Sequence, residues 1–226
     1  MMTRMATPEE QLTIEEGRVR VSGAYARPAD PTATIVLAHG AGAGMDHPFM
    51  VGFTRAMNDE GFATLRFNFP YIENGRRSPD PAPFLQEGWR AAFDAAKARA
   101  KGEPVWAGGK SLGGRIASMA VADGMPAAGL VFLGYPLHPP GKPERIRDEH
   151  LYRIDVPMIF VEGTREVFAA PELLAGVIAK LGKRAALISI EGGDHSFNVK
   201  GAKRDAREVA GTLARPVAPL IRERAG

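Results

Sequence analysis

Apolar residues in this chain fall into short continuous runs, separated by stretches of helical periodicity and by breaks rich in glycine and proline. Residues 13–25 alternate, with Ile14, Val19 and Val21 set between polar neighbours, which predicts a half-buried strand or hairpin. Residues 34–38, Thr-Ile-Val-Leu-Ala, are an unbroken apolar and β-branched run, the pattern of a central parallel strand covered on both faces. Similar runs predict strands over 62–67, 129–134, 157–161 and 186–190, and another opens at Pro104. Helices are predicted over 48–60, over 84–101, where Leu85, Trp89 and Phe93 recur at steps of four, and over 171–181. A closing helix is predicted over 202–224, bent at Pro216 and Pro219. Residues 72–83, rich in Pro, Arg and Asn, predict an irregular surface loop. Strands alternating with helices imply an α/β fold, a mostly parallel central sheet with helices on both faces, in one domain over 1–226. In such sheets the active crevice lies beyond the carboxyl ends of the strands, so the residues just after each strand are the ones to inspect.

Composition narrows the chemistry. The chain has no cysteine, which excludes a disulfide framework, a thiolate metal site and a cysteine nucleophile together. No metal or organic cofactor is implied. The formal charge is +3, but Lys and Arg are scattered and not interleaved with aromatics, so no nucleic-acid partner is expected. Residues 1–11 hold no apolar targeting core and no run approaches the length needed to span a bilayer; a soluble cytoplasmic protein with no membrane partner is the expectation.

The strand opening at Pro104 runs into Gly109-Lys110-Ser111-Leu112-Gly113, a G-x-S-x-G pentapeptide placed between a strand and a helix. So abrupt a turn strains the Ser111 backbone and thrusts its hydroxyl out of the sheet, and its flanks must lack side chains for strand and helix to pack. The same glycines do not make a phosphate-binding loop, because Pro104 stands where that motif needs its first Gly. Nor does 40–44 make a dinucleotide fingerprint, whose third glycine would fall where Met45 or His47 stands. The loop His39-Gly40-Ala41-Gly42-Ala43-Gly44 instead lets backbone amides approach a ligand, and the N–H groups of Ala41 and Leu112 are candidates for an oxyanion hole. An alcohol needs a base to take its proton, and His195, on a glycine-framed loop after the last strand, is the candidate. A carboxylate is needed to orient that imidazole. Glu166, just past the strand at 157–161, is the candidate, with Glu162 and Asp155 as rivals; Asp194 is expected to brace the His195 loop. Arg66, Tyr71, Tyr135 and His138 follow strand ends and either line a substrate pocket or pack the loops together.

With these residues placed, the chain resembles the α/β-hydrolase superfamily over essentially its whole length. More narrowly it resembles the dienelactone-hydrolase-like branch, in the small family shared by a testis-expressed protein and a subunit of a histone-acetyltransferase complex. The blocks that carry this are 39–44, Arg66-Phe67-Asn68-Phe69-Pro70-Tyr71, the run from Gly108 to Arg115, and the run from Gly134 to Pro143. Such proteins usually carry Asp after Gly-Thr-Arg, where this chain has Glu166. The interval between 134 and 157 is too short for the lid of larger relatives, which favours a small or flexible acyl substrate. The resemblance implies a serine hydrolase acting on a carboxylic ester or related acyl bond. The rival reading is a catalytically silent interaction module that keeps the elbow for packing; it predicts that Ser111 and His195 stand beyond hydrogen-bond reach. An acyltransferase on the same residues differs only in its acceptor.

Overall fold

The alternating residues at the start fold as an antiparallel hairpin of β1 (Glu9–Glu16) and β2 (Val19–Ala26). This is a computed structural model, and it describes residues 6–202 and 204–225. The apolar runs become β3 (Thr34–Ala38), β4 (Ala63–Phe67), β5 (Val105–Lys110), β6 (Leu130–Leu133), β7 (Met158–Gly163) and β8 (Ala185–Ile190). They form one sheet in the order β1-β2-β4-β3-β5-β6-β7-β8. The pairs of β2 with β1 and β4 are antiparallel and all others are parallel. The chain steps from β3 outward to β4 and then returns to lay β5 on the other side of β3, so the sheet's switch point lies between β3 and β5.

Both faces are covered. Val36 and Ala38 of β3 join one core with Leu130 and Phe132 of β6, beneath α3 (Ala82–Lys97), α4 (Leu112–Ala122) and α5 (Pro171–Leu181). Ile35, Leu37, Val131 and Leu133 point into the opposite core, beneath α1 (Pro48–Asp59) and α6 (Ala206–Ala225). This division is the period-two alternation of a strand with apolar groups on both sides. The expected fold class, an α/β-hydrolase fold with no lid, is the one observed: between β6 and β7 the described chain holds only loop and a five-residue 3-10 helix, Glu149–Arg153.

Some boundaries differ from expectation. The hairpin begins at Glu9, and a short helix α2 (Pro70–Glu73) enters the stretch expected to be irregular, because Pro70 supplies the first-turn geometry and the Asn74 amide bonds back to the Pro70 carbonyl. The last helix starts at Ala206, where the Asp205 carboxylate accepts from the Glu208 amide at 2.9 Å, and it continues through Pro216 and Pro219. Strand β7 runs on to Gly163 and so takes Glu162 into the sheet. No helix among the described residues is long and apolar enough to cross a membrane.

Helices α1 and α6 touch at Gly52, where a Cβ would stand 2.3 Å from the Arg207 carbonyl oxygen. Gly52→Ala is expected to lower the unfolding free energy by about 1–3 kcal/mol, because two backbones must part. Gly176→Ala, within α5 and with nothing within 4 Å of the added carbon, is expected to raise it by about 0.4–1 kcal/mol. Urea denaturation of the two variants beside wild type checks both signs.

Candidate active site

Strand β5 turns into α4 at Ser111, whose backbone sits at φ 49° and ψ −113°. A non-glycine residue there is strained by about 1–3 kcal/mol, and the surroundings hold it in place. The Ser111 amide donates to the Leu133 carbonyl at 3.1 Å, and the Arg115 amide donates to the Ser111 carbonyl at 3.1 Å. A Cβ at either Gly109 or Gly113 would lie 2.2 Å from the Ala38 carbonyl oxygen, so both flanks of the turn must be bare. These contacts leave the Ser111 side chain at the carboxyl edge of the sheet, lining a cleft of about 450 Å³.

The loops after β7 and β8 are stitched to one another. The Arg165 amide donates to the Gly193 carbonyl at 2.9 Å, Thr164 to Ile190 at 3.1 Å, and the Gly192 amide to the Thr164 hydroxyl at 2.8 Å. Asp194 braces its own loop, its Oδ1 accepting from the amides of Ser196 at 2.8 Å and Asn198 at 2.9 Å. Phe197, at φ 63°, anchors the far end by stacking on Phe49 with centroids 5.9 Å apart. So held, His195 Nε2 lies 3.0 Å from Ser111 Oγ, and its Nδ1 lies 2.6 Å from Glu166 Oε2. The other Glu166 oxygen accepts from the Phe168 amide at 2.9 Å. Burial alone would raise the Glu166 carboxyl; the hydrogen bond and charge of His195, the Phe168 amide and Lys110 outweigh it and hold the group below the ordinary carboxylate range.

Sequence reasoning overlooked Lys110, although it occupies the first variable position of the pentapeptide. Its ammonium passes beneath the histidine loop, donates to the His195 carbonyl at 2.6 Å and lies 5.4 Å from the Phe197 ring centre. Burial pulls its pKa down to about 8, while Glu166, Glu162 and Asp194 act to raise it. Of the rival acids, Asp155 is fully exposed beside Arg184. Glu162 accepts from the Tyr135 amide and is buried, and burial raises its pKa well above the ordinary value. Neither touches His195.

His39 turns away from the serine. Its Nε2 accepts from the Phe69 amide at 3.2 Å, so its Nδ1 carries the proton and donates to the Gly40 carbonyl at 2.8 Å. Burial lowers its pKa to about 4, which keeps it neutral. Because a trans peptide points its C=O and N–H in opposite directions, tying back the Gly40 oxygen turns the Ala41 N–H the other way. Gly40 and Ala41 line the cleft with Ser111, and Leu112 supplies the first amide of α4.

The four residues considered for substrate binding do not line this cleft; they pack loops. Arg66 is buried, paired with Glu9 and Asp46, and its Nε donates to the Met45 carbonyl at 3.1 Å, pinning the first strand to the loop before α1. Tyr71 is buried with its ring 5.9 Å from that of His39. Tyr135 is buried with its hydroxyl on the Arg147 carbonyl at 3.2 Å. His138 is buried, its Nδ1 2.9 Å from the Pro139 carbonyl oxygen. Their positions after strand ends gave no sign of which way each side chain would turn. The cleft is walled instead by Ala43, Phe49, Met50 and Phe168.

Residues 31–220 match the family model described as an alpha/beta hydrolase domain. Among solved structures, a dienelactone hydrolase from Anabaena variabilis ATCC 29413 superposes with TM-score 0.77 at 18% identity, over 97% of this chain and 99% of that one. An α/β serine hydrolase without a lid from Xanthomonas campestris gives 0.73 at 18%, over 97% and 98%. The esterase domain of a Rhodothermus marinus protein gives 0.73 at 18%, over 97% and 100%. At these identities the likeness is one of fold.

A carboxyl whose pKa is lowered on folding adds stability above its unfolded value and loses it as pH falls through the folded one. Replacing Glu166 by Gln is therefore expected to destabilise near neutral pH, and the gap to wild type is expected to close below the ordinary carboxylate pKa of about 4. Urea unfolding of both proteins across that range measures it.

Proposed function

We propose that this chain, which belongs to the alpha/beta hydrolase domain family, is a serine hydrolase that cleaves a carboxylic ester or related acyl bond of a small substrate. One observation carries the reading: hydroxyl, imidazole and carboxylate stand in a row, 3.0 Å from Ser111 Oγ to His195 Nε2 and 2.6 Å from His195 Nδ1 to Glu166 Oε2. A silent module requires no such row, and its expectation of a separated serine and histidine is not met.

In this reading Ser111 Oγ attacks the acyl carbon while His195 Nε2 takes its proton. Glu166 holds the Nδ1–H and offsets the positive charge that develops on the ring. The carbonyl oxygen becomes anionic at this moment and is received by the amides of Ala41 and Leu112, each donor contributing about 3 kcal/mol to the transition state. Collapse expels the alcohol, which leaves with the proton from His195. Water then attacks the acyl-serine, giving its proton to His195, and the second collapse returns that proton to Ser111 and frees the acid. An acyltransferase would replace only this water with another acceptor.

The apolar walls, with no covering domain among the described residues, favour a short acyl or aromatic ester that enters from solvent. The motif blocks at 39–44, 66–71, 108–115 and 134–143 support the narrower placement in the dienelactone-hydrolase-like branch, beside the testis-expressed protein and the acetyltransferase-complex subunit.

A fluorophosphonate probe is expected to label the wild-type protein at Ser111 and to leave Ser111→Ala unlabelled. Short-chain nitrophenyl esters are expected to be hydrolysed, with kcat reduced about 10⁴-fold in Glu166→Gln, whose amide cannot offset the ring's charge. Folded wild-type protein that neither takes the label nor turns over any ester of the series would remove the proposal.

A further inference from the structure

A second cleft, of about 340 Å³, opens between α4 and the 3-10 helix and is lined by Arg115, Ile146, Arg147, Glu149, His150 and Arg153. It shares no lining residue with the cleft at Ser111. Three guanidinium groups from separate parts of the chain meet here: Arg115 one turn into α4, Arg147 at the end of the loop after β6, and Arg153 closing the 3-10 helix.

Acidic neighbours offset only part of this charge: Glu149 stands on the rim of the cleft, exposed and in no ion pair with the three arginines. Asp123 pairs with Arg153 at 3.4 Å, and Asp148 is engaged by the Tyr152 hydroxyl at 2.6 Å. Among the described residues no carboxylate forms an ion pair with Arg115 or Arg147, and the Arg115 Nε is buried with no hydrogen-bond partner. Burial lowers the pKa of Arg147, and the charge of Arg115 lowers it further.

The backbone beneath these side chains is fastened. Ser118 Oγ donates to the Arg115 carbonyl at 2.7 Å and lies 2.8 Å from His150 Nε2, which ties α4 to the 3-10 helix. The Tyr135 hydroxyl donates to the Arg147 carbonyl at 3.2 Å, and the Arg147 amide donates to the Leu137 carbonyl at 2.8 Å. Burial first, then Arg115 and Arg153, lower the His150 pKa to about 4, so the imidazole between them adds no further charge. Cationic side chains gathered around one cavity on a fastened backbone are complementary to an anion that can bridge them, and guanidinium forks match the oxygens of a phosphate.

We propose that this cleft is a binding site for a phosphate group, carried by a small molecule or present as free phosphate, held by Arg115, Arg147 and Arg153. The site is separate from the proposed hydrolytic chemistry and does not rest on it.

The test is calorimetric titration of the full chain with inorganic phosphate and, in parallel, with glycerol phosphate, at ionic strength held constant with chloride. Saturable one-to-one binding is expected. Tighter binding of glycerol phosphate identifies a phosphorylated small molecule as the ligand, and equal binding identifies the free ion. Arg115→Gln and Arg147→Gln are each expected to weaken binding at least about tenfold, the loss of one charge-assisted contact. In chloride alone, Arg147→Gln is expected to melt no lower than wild type, because a repulsion has been relieved. Arg20→Gln, at an exposed arginine of β2 paired with Glu15 of β1, is expected to bind as wild type does. Heats no larger than those of added chloride, or a loss in Arg20→Gln equal to that in Arg147→Gln, would overturn the proposal.

Discussion

The site depends on one carbonyl oxygen. Gly109, at the end of β5, and Gly113, at the start of α4, both press on the oxygen of Ala38, where a side-chain carbon on either would come within 2.2 Å. Gly113 also lies against His39, where an added carbon would stand 2.8 Å from the carbonyl oxygen. The turn between the two glycines has therefore no room to relax, and Ser111 is left at a positive φ with its hydroxyl outward. The residues compressed beneath it, Ala38 and His39, lead directly into the loop that carries the Ala41 amide. A single close crossing of backbones thus sets the serine and the neighbouring donor together, and it does so at the switch point of the sheet, where adjoining loops diverge and leave space.

The imidazole and its carboxylate are positioned by a different device. Gly163 meets Gly193 so closely that an added carbon would stand 2.2 Å from the Gly193 oxygen, and three hydrogen bonds then join the loops after β7 and β8. Lys110 connects this unit to the elbow, reaching from the residue before the serine to the carbonyl of His195. A buried ammonium is expensive unless it has partners, and here the carbonyl dipole and the Glu166 charge supply them. Burial first, then the neighbouring charge of Glu166, raise the pKa of Glu162, while the Tyr135 amide and Lys110 act to lower it.

Much of this was legible in the sequence. The central strands β3 to β7 declared themselves because both faces of the sheet are covered there, which makes each largely a continuous apolar run, and a serine, a carboxylate and a histidine each following a strand is a pattern with few alternatives. Side-chain direction was not legible. Tyr135 and His138 follow β6 as a substrate contact would, yet Tyr135 turns down into the core beside Phe132 and Phe160, and only the packing of its neighbours decides that. Arg66 looked like a charge at a strand end, but β1 brings Glu9 back across the sheet to neutralise it, a pairing 57 residues apart in the chain. Lys110 was hidden by its own motif, in which the position before the serine is free to vary.

The exposed run at residues 140–145, between β6 and the 3-10 helix, contributes nothing to the row of reacting groups. Chain added at an exposed tip disturbs little of what lies below it. The architecture therefore offers a place where a cap could be grafted by evolution or by design, changing which molecules gain entry while the chemistry underneath is inherited unaltered.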